Sequence, residues 1–408
     1  MNKLKRNHVI ISVLVTVLLT VLCISEAFAV QLPMFKPQGE VTISREEYNR
    51  LKKYEKLDLI LDLINAYYYE DIDQEEMMES AAMGLVAGVG DVYSNYFTKE
   101  DMEAFTEETE GEYAGIGCQL LADPSDQLIT ITRVFKGSPA EEVGMRSGDK
   151  IVYVNDVYYS AYEMDAAVDV MRGTPGETVK VTVMRGLETL DFDVTRKVIN
   201  INYVEHQILD GNIGYVMVYD FLGQAVAGFG EALEAVKAAN VEAMIIDLRN
   251  NGGGLLDASV QMADMILSEG VVVSMRDKLG NKEEYTIDNE YYDVPMVVLV
   301  NGYSASASEI LSGAIRDRGE GMLVGTKTFG KGVVQSVIDF PDGSGLKLTT
   351  ARYDTPSGEC IPEIGIEPHV LVELDEDVVT TYGINNLPHD QDAQLQKALE
   401  LIRSGEVK

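Results

Sequence analysis

The chain has 408 residues, 46% of them hydrophobic and 25% charged, the composition of a globular protein and more chain than one ordinary domain uses. Its 33 basic against 67 acidic residues give a net charge of −34, which argues against nucleic acid as a partner and favours solubility. Three cysteines are too few for a disulfide framework.

Lys3, Lys5 and Arg6 precede an apolar stretch from Val9 to Ile24, followed by Ala27-Phe28-Ala29. A charged start, an apolar run and an A-x-A site predict export. Residues 1–29 are read as a signal peptide or a signal anchor, since the run approaches the length of a membrane span. Positive charge ahead of it leaves the rest extracytoplasmic, either secreted or anchored to the outer face of the cytoplasmic membrane. Cys23 lies in this leader; Cys118 and Cys360 are read as free, buried thiols. Residues 30–43, with two prolines and a glycine, read as a linker.

A helical region follows over 44–108. Leu51, Leu57, Leu61 and Ile64 recur at helical spacing up to Tyr69, and a second helix starts near Asp73 and carries Met77, Met78, Ala81 and Leu85. The methionine pair is read as core filler. Asp91-Val-Tyr-Ser-Asn-Tyr-Phe97 resembles a family motif that closes such a helical region.

Residues 109–197 change to short strands. Tyr113-Ala-Gly-Ile-Gly117, Gly137-Ser-Pro-Ala140, Gly144-Met-Arg-Ser-Gly-Asp-Lys-Ile151 and Val154-Asn155 follow in the order of a PDZ domain, which the segment resembles. The resemblance implies a β-rich domain that takes an extended peptide at a sheet edge and holds its terminal carboxylate on backbone N–H groups. Ala114, Gly115, Ile116 and Gly117 are the candidate carboxylate loop; without the downstream pattern they would read as a plain tight turn.

From 198 to 375 strands and helices alternate. Gly214 to Tyr219 is a strand, Val226, Phe229, Leu233 and Val236 mark a helix, and Ala243 to Asp247 is the next strand. Leu248-Arg-Asn-Asn-Gly-Gly-Gly254 then forms a glycine-rich turn outside a strand's carboxyl end, where sites sit in open α/β sheets. Val297 to Val300 reads as a strand buried on both faces. Behind it come Ser304-Ala-Ser-Ala-Ser-Glu309, a helix with Ile310, Leu311, Ala314 and Ile315, and Thr328-Phe-Gly-Lys-Gly332. Ser306 to Glu309 fits the S-x-x-E capping box, and on local pattern alone the cap is the favoured reading. Lys331 alone reads as a surface lysine. Gly325 to Gly332 falls one residue short of a phosphate loop, with Gly332 where a metal-binding Ser or Thr belongs and a strand where a helix should follow.

These segments together, with Gln335, resemble the carboxyl-terminal processing (tail-specific) peptidases, a family of Ser-Lys endopeptidases. The resemblance runs from about Tyr54 almost to the end, through Thr355-Pro-Ser-Gly358 and Gly365-Ile-Glu-Pro368. It implies Ser306 as nucleophile, Lys331 as base, Gln335 as the residue orienting the lysine, and backbone N–H groups of Gly253 and Ala307 as oxyanion donors. The family usually has proline where this chain has Gly252. In a strand, Lys331, Val333 and Gln335 would share one face.

The expected architecture is a multi-domain α/β protein: helical amino-terminal region, PDZ domain, an α/β protease core with a mixed sheet, and a helical tail over 376–408. Protein substrates with free, apolar C-termini are the expected partners, and the resemblance also implies a homodimer through the helical region. No cofactor and no metal are called for: there is no H-E-x-x-H, and His206, His369 and His389 are scattered. A histidine triad lacks its G-x-S-x-G elbow. The competing functions are an inactive PDZ adaptor and a binding protein on the same fold.

Overall fold

The computed structural model describes residues 42–123 and 126–407, so the predicted leader and almost all of the linker lie outside the described residues. Two compact units divide the chain, Met1–Met77 and Met78–Lys408. In the first, the predicted long helix is two: α1 (Arg45–Lys52) and α2 (Glu55–Tyr67). Ser44 and Glu47 cap α1 reciprocally, but no side chain caps the restart at Tyr54, so apolar spacing alone read both as one. Neither helix buries a residue. Helix α3 (Gln74–Ala87) starts where the Asp73 carboxylate accepts the N–H groups of Glu75 and Glu76. Its methionines are not core filler: Met77 is half-buried and Met78 exposed, because the apolar residues are spread round the helix instead of forming a stripe.

The second unit continues with β1 (Asn95–Phe97), α4 (Lys99–Glu110) and β2 (Glu112–Gly115). The next elements are β3 (Cys118–Asp123), β4 (Leu128–Val134), α5 (Pro139–Glu142), β5 (Lys150–Val154), β6 (Val157–Tyr158), α6 (Met164–Met171), β7 (Thr178–Arg185) and β8 (Glu188–Thr195). They form an antiparallel sheet in the order β3-β4-β5-β7-β8, with β6 beside β5. Alternation along β7 turns Val179, Val181 and Val183 onto Ile129, Ile131, Ile151 and Ala167, all fully buried. Strand β3 lies at the sheet edge. Strand β9 (Lys197–Asn200) then returns to pair with β2.

The core is built from β10 (Val204–Leu209), β11 (Ile213–Val218), α7 (Ala225–Ala238), β12 (Ala243–Asp247), α8 (Leu256–Ile266), β13 (Gly270–Asp277), β14 (Lys282–Ile287), β15 (Met296–Val300), α9 (Ala307–Arg318), β16 (Met322–Gly325), β17 (Val333–Asp339), β18 (Gly345–Asp354), β19 (Val370–Leu371), α10 (Glu376–Tyr382) and α11 (Ala393–Ser404). Its main sheet runs β10-β11-β12-β15-β16-β19, antiparallel only at β10/β11, and is therefore mixed. Residues of α7, α8 and α9 join one hydrophobic cluster with this sheet, and Leu395, Ala398 and Leu399 of α11 join another with Ile245, Val297 and Leu299. Val297 to Val300 are fully buried because both faces of β15 are covered. A second sheet, β1-β18-β13-β14 with β17 on β18, is antiparallel throughout. Both cysteines of the described residues are free. Neither is fully buried as expected: Cys118 is half-buried, its thiol pushed up to about 12 by its apolar surroundings, and Cys360, on the turn that follows β18, is exposed.

Candidate active site

Strands β12 and β15 are parallel neighbours, so the turns leaving their carboxyl ends lie side by side. Polar side chains staple these turns together. Asn301 Oδ1 accepts the Asn250 N–H at 3.0 Å while its Nδ2 donates to Asn250 Oδ1 at 2.8 Å. The Asn251 carbonyl accepts from Ala305 N–H at 3.1 Å and from the Ser308 hydroxyl at 2.9 Å. Behind them Arg249, 2% exposed, donates to Asp247, Asp392 and Gln394. The carboxyl-terminal tail thus anchors the residue that leads into the glycine turn.

Ser306 sits at the N-cap of α9 and Glu309 three positions on: the Glu309 carboxylate accepts the Ser306 N–H at 2.9 Å, while the Glu309 N–H donates to the Ser306 carbonyl and not to its hydroxyl. Its backbone is unlike a plain cap. Ser44, Thr98 and Ser138 cap their helices with φ −66°, −61° and −80° in extended conformation, but Ser306 has φ 54° and ψ −115°. A non-glycine residue there stores roughly 1–3 kcal/mol of strain, as nucleophiles on sharp strand-to-helix turns do. The three serines also divide cleanly. Ser304 and Ser308 are fully buried and donate to the carbonyls of Leu248 and Asn251. Only Ser306 lines a cavity of about 140 Å³, together with Gly254, Leu255, Leu256, Ile310, Lys331, Val333, Val334, Gln335 and Tyr353. A larger cavity of about 250 Å³, bounded by Glu205, Tyr219, Arg249, His389 and Asp392, contains none of the predicted site residues.

The cavity gathers Ser306, Lys331 and Gln335, but no hydrogen bond joins them in this arrangement. The Lys331 amine lies 5.0 Å from the ring centroid of Tyr93, and Gln335 Nε2 donates to Thr349 Oγ1 at 3.2 Å. Burial holds the amine below the ordinary lysine value, Lys347 adds to the lowering, and the Glu309 and Asp91 carboxylates oppose it. Strand alternation does not bring Lys331 and Gln335 together. Lys331 precedes β17 in a turn where Gly332 has φ 47° and a Cβ would stand 2.4 Å from Pro362. A register shift at Val334/Gln335 then places Gln335 opposite Thr349.

Gly253 is packed against the serine: with φ 112°, a Cβ there would lie 2.7 Å from Ser306 Cβ and 2.8 Å from the Ala305 carbonyl. Its N–H, however, donates to Asn251 Oδ1 at 2.8 Å, so this expected oxyanion donor is engaged in the arrangement seen. A side chain at Gly252 would meet nothing within 4 Å, so packing does not demand a glycine there. The other expected donor, Ala307, opens α9, where orphan N–H groups favour negative charge.

Glu309 was legible only as a cap and is much more. Its fully buried carboxylate accepts from Ser306 N–H at 2.9 Å, Thr328 Oγ1 at 2.6 Å, Gly330 N–H at 2.7 Å, Lys331 N–H at 2.9 Å and Tyr353 OH at 3.4 Å. One side chain therefore fixes the backbone of Ser306 to that of Lys331. Glu309→Gln removes the charge and faces an amide N–H₂ against N–H donors, leaving buried groups unpaired. It should cost about 3 kcal/mol in urea unfolding and most of the activity; a variant as stable as the parent would contradict this role.

In the PDZ region, Ala114 and Gly115 belong to β2 and pair with Val198 and Lys197, so only Ile116 and Gly117 stand clear of the ribbon. Their carbonyls accept the N–H groups of Ala140 and Phe135. The Tyr113 ring covers Gly115, where a Cβ would come within 2.7 Å of it. Arg133 of β4 ties this domain to the core: it donates to the Asn202 carbonyl and Glu205, and its guanidinium lies 3.6 Å from the Tyr219 ring centroid.

The family model for peptidase family S41 matches residues 212–372, that for the PDZ domain residues 130–185, and that for the activating protease CtpB N-terminal domain residues 28–101. A probable CtpA-like serine protease of Staphylococcus aureus (strain COL) is 33% identical over 376 residues, 91% of this chain and 75% of that one. A protein of the same description from Staphylococcus epidermidis is 33% identical over 374 residues, 91% and 74% of the two chains. Among solved structures, the photosystem II D1 C-terminal processing protease matches at TM-score 0.51 and 29% identity, covering 81% of this chain and 94% of its own. A Bacteroides fragilis S41 protease structure shares the fold at TM-score 0.55 and 18% identity, covering 84% and 92%. The mixed-sheet core, the preceding PDZ sheet and these likenesses agree: the chain belongs to peptidase family S41 and is a serine protease carrying a PDZ domain.

Proposed function

We propose that this protein is an exported endopeptidase that recognises substrate C-termini through its PDZ domain and cleaves peptide bonds through a Ser306 acyl-enzyme with Lys331 as base. The observation that carries the reading is the sorting of three serines, of which only Ser306 shares a cavity with Lys331 and Gln335, on a backbone no plain cap requires. Ser306 Oγ attacks the scissile carbonyl, and the neutral Lys331 amine takes its proton. The oxyanion is held by the Ala307 N–H and by the Gly253 turn once its N–H leaves Asn251, and the protonated amine returns its proton to the departing amine. In the resting arrangement the Lys331 amine lies on Tyr93, so attack requires it to swing to Ser306 and Gln335 to release Thr349 and orient it. Leu255, Leu256, Ile310 and Val334 make the cavity wall apolar, suited to a small apolar residue ahead of the scissile bond.

The edge position of β3, beside the Ile116–Gly117 turn, supports addition of a substrate tail as an extra strand. Export rests on the leader pattern of residues 1–29, which would tether the enzyme to the membrane if retained. The exposed apolar side chains of α2, Leu57, Ile60 and Leu63 among them, support a homodimer through the helical region.

Two peptides differing only in a terminal carboxylate or amide test tail reading. The free acid ending in an apolar residue should be cleaved about tenfold faster or more, because a held tail raises the local concentration of the upstream bond. Equal rates would remove the PDZ domain from recognition.

A further inference from the structure

Three successive glycines, Gly252 to Gly254, leave the turn beside Ser306 more backbone freedom than any other residue type would. Gly253 and Gly254 stand at φ 112° and 126°, so the turn has no side chains of its own to stiffen it. What fixes it comes from β11, the parallel neighbour of β12, whose carboxyl end reaches the same edge of the sheet. Past that end the Phe221 N–H donates to the Gly253 carbonyl at 2.8 Å, and the Leu255 N–H donates to the Phe221 carbonyl at 3.0 Å. A side chain adds to these backbone bonds. Asn251 is fully buried; its Nδ2 donates to the Val218 carbonyl at 2.7 Å and its Oδ1 accepts the Gly253 N–H at 2.8 Å. A carbonyl on one side and an N–H on the other fix which way the amide faces. The carbonyl of Asn251 itself, holding the Ala305 N–H and the Ser308 hydroxyl, grips the segment that carries Ser306. Asn251 therefore joins the end of β11, the glycine turn and the nucleophile segment. When the Gly253 N–H turns to an oxyanion, one of these contacts breaks, while the Val218 bond and both bonds to the Asn251 carbonyl remain.

We propose that Asn251 is a positioning residue for the reaction: its side-chain amide anchors the glycine turn to the end of β11, so that the Gly253 N–H changes acceptor while the turn keeps its place against Ser306. That role rests on Ser306 being the nucleophile and the Gly253 turn holding the oxyanion. A buried asparagine that served the fold alone would change stability and leave the balance between substrate binding and turnover as it is. An anchor for an oxyanion donor acts on the tetrahedral state, where charge develops, and hardly on the bound substrate.

The test uses the full chain with Asn251→Ala, Asn251→Ser and Asn251→Asp, each checked by urea unfolding. kcat and KM are measured on a free-acid peptide, together with inhibition by an N-blocked peptide aldehyde ending in alaninal and by the matching alcohol. Ser306 Oγ bonds to the aldehyde carbon, the C=O electron pair moves onto oxygen and the serine proton passes to the base. The adduct thus places an oxyanion on the turn, and the alcohol forms no adduct. Asn251→Ala and Asn251→Ser should lose about 30-fold or more in kcat, with KM within about threefold of the parent. Aldehyde affinity should fall in parallel and alcohol affinity should stay. Asn251→Asp keeps an acceptor for Gly253 but sets an oxygen against the Val218 carbonyl and a charge beside the oxyanion, so it should lose at least as much. Parent kcat in Asn251→Ala or Asn251→Asp, or an equal fall for aldehyde and alcohol, would overturn the proposal. Failure of all three variants to fold would also overturn it, by making Asn251 a residue of the fold alone. Ser306→Ala distinguishes the two readings. Aldehyde affinity that depends on Ser306 but not on Asn251 removes the anchor alone, whereas unchanged aldehyde affinity in Ser306→Ala removes the nucleophile, and the anchor with it.

Discussion

Ser306→Ala is expected to lower kcat/KM by about 10⁴-fold or more, the scale on which serine nucleophiles are lost. Ser304→Ala and Ser308→Ala should each cleave within about tenfold of the parent while losing about 1 kcal/mol, since their hydroxyls serve the Leu248 and Asn251 carbonyls and do not line the cavity. Peptidase assays with urea unfolding on all three variants separate the two effects. Stability at position 306 itself distinguishes a nucleophile turn from a cap. Glycine takes φ 54° without strain, so Ser306→Gly should be at least as stable as the parent, while a serine present only to cap would lose stability there. Cleavage surviving in Ser306→Ala would overturn the assignment.

Lys331→Arg is expected to be as inactive as Lys331→Ala, a loss of roughly 10³-fold or more, because a guanidinium does not deprotonate at working pH. The sign of the pH dependence follows from the direction of the shift. Burial and Lys347 hold the amine below the ordinary lysine value, so the neutral, competent form accumulates at lower pH than for a free lysine. The rate should therefore rise with pH through that lowered value and level off above it. A bell centred on a histidine-like step, or turnover by Lys331→Arg, would contradict the role.

The fold and family were legible because they rest on order along the chain: the PDZ turns, the fully buried Val297–Val300 run, and the small-residue segment ahead of α9. What escaped the sequence depends on distant partners. Glu309 satisfied a local capping rule, which hid the fact that its other donors come from Thr328, Gly330, Lys331 and Tyr353. Asp392 lies 143 residues from Arg249, and no local pattern connects them. The Gly253 N–H is taken by Asn251, a contact only two residues away but decided by how the glycine turn folds. The break between α1 and α2 escaped for the opposite reason, since no residue there signals a helix start.

The central claim, a Ser306 nucleophile activated by neutral Lys331, is tested most directly by locating the acyl group in a trapped first turnover. A p-nitrophenyl ester of an N-blocked alanine transfers its acyl group to the attacking oxygen, releases p-nitrophenolate and passes the serine proton to the base. Acid quenching and peptide mass mapping should find one acyl group on Ser306, formed faster as pH rises, and none in Lys331→Arg. An acyl group on Ser304 or Ser308, or an equal rate of Ser306 acylation in Lys331→Arg, would contradict the account.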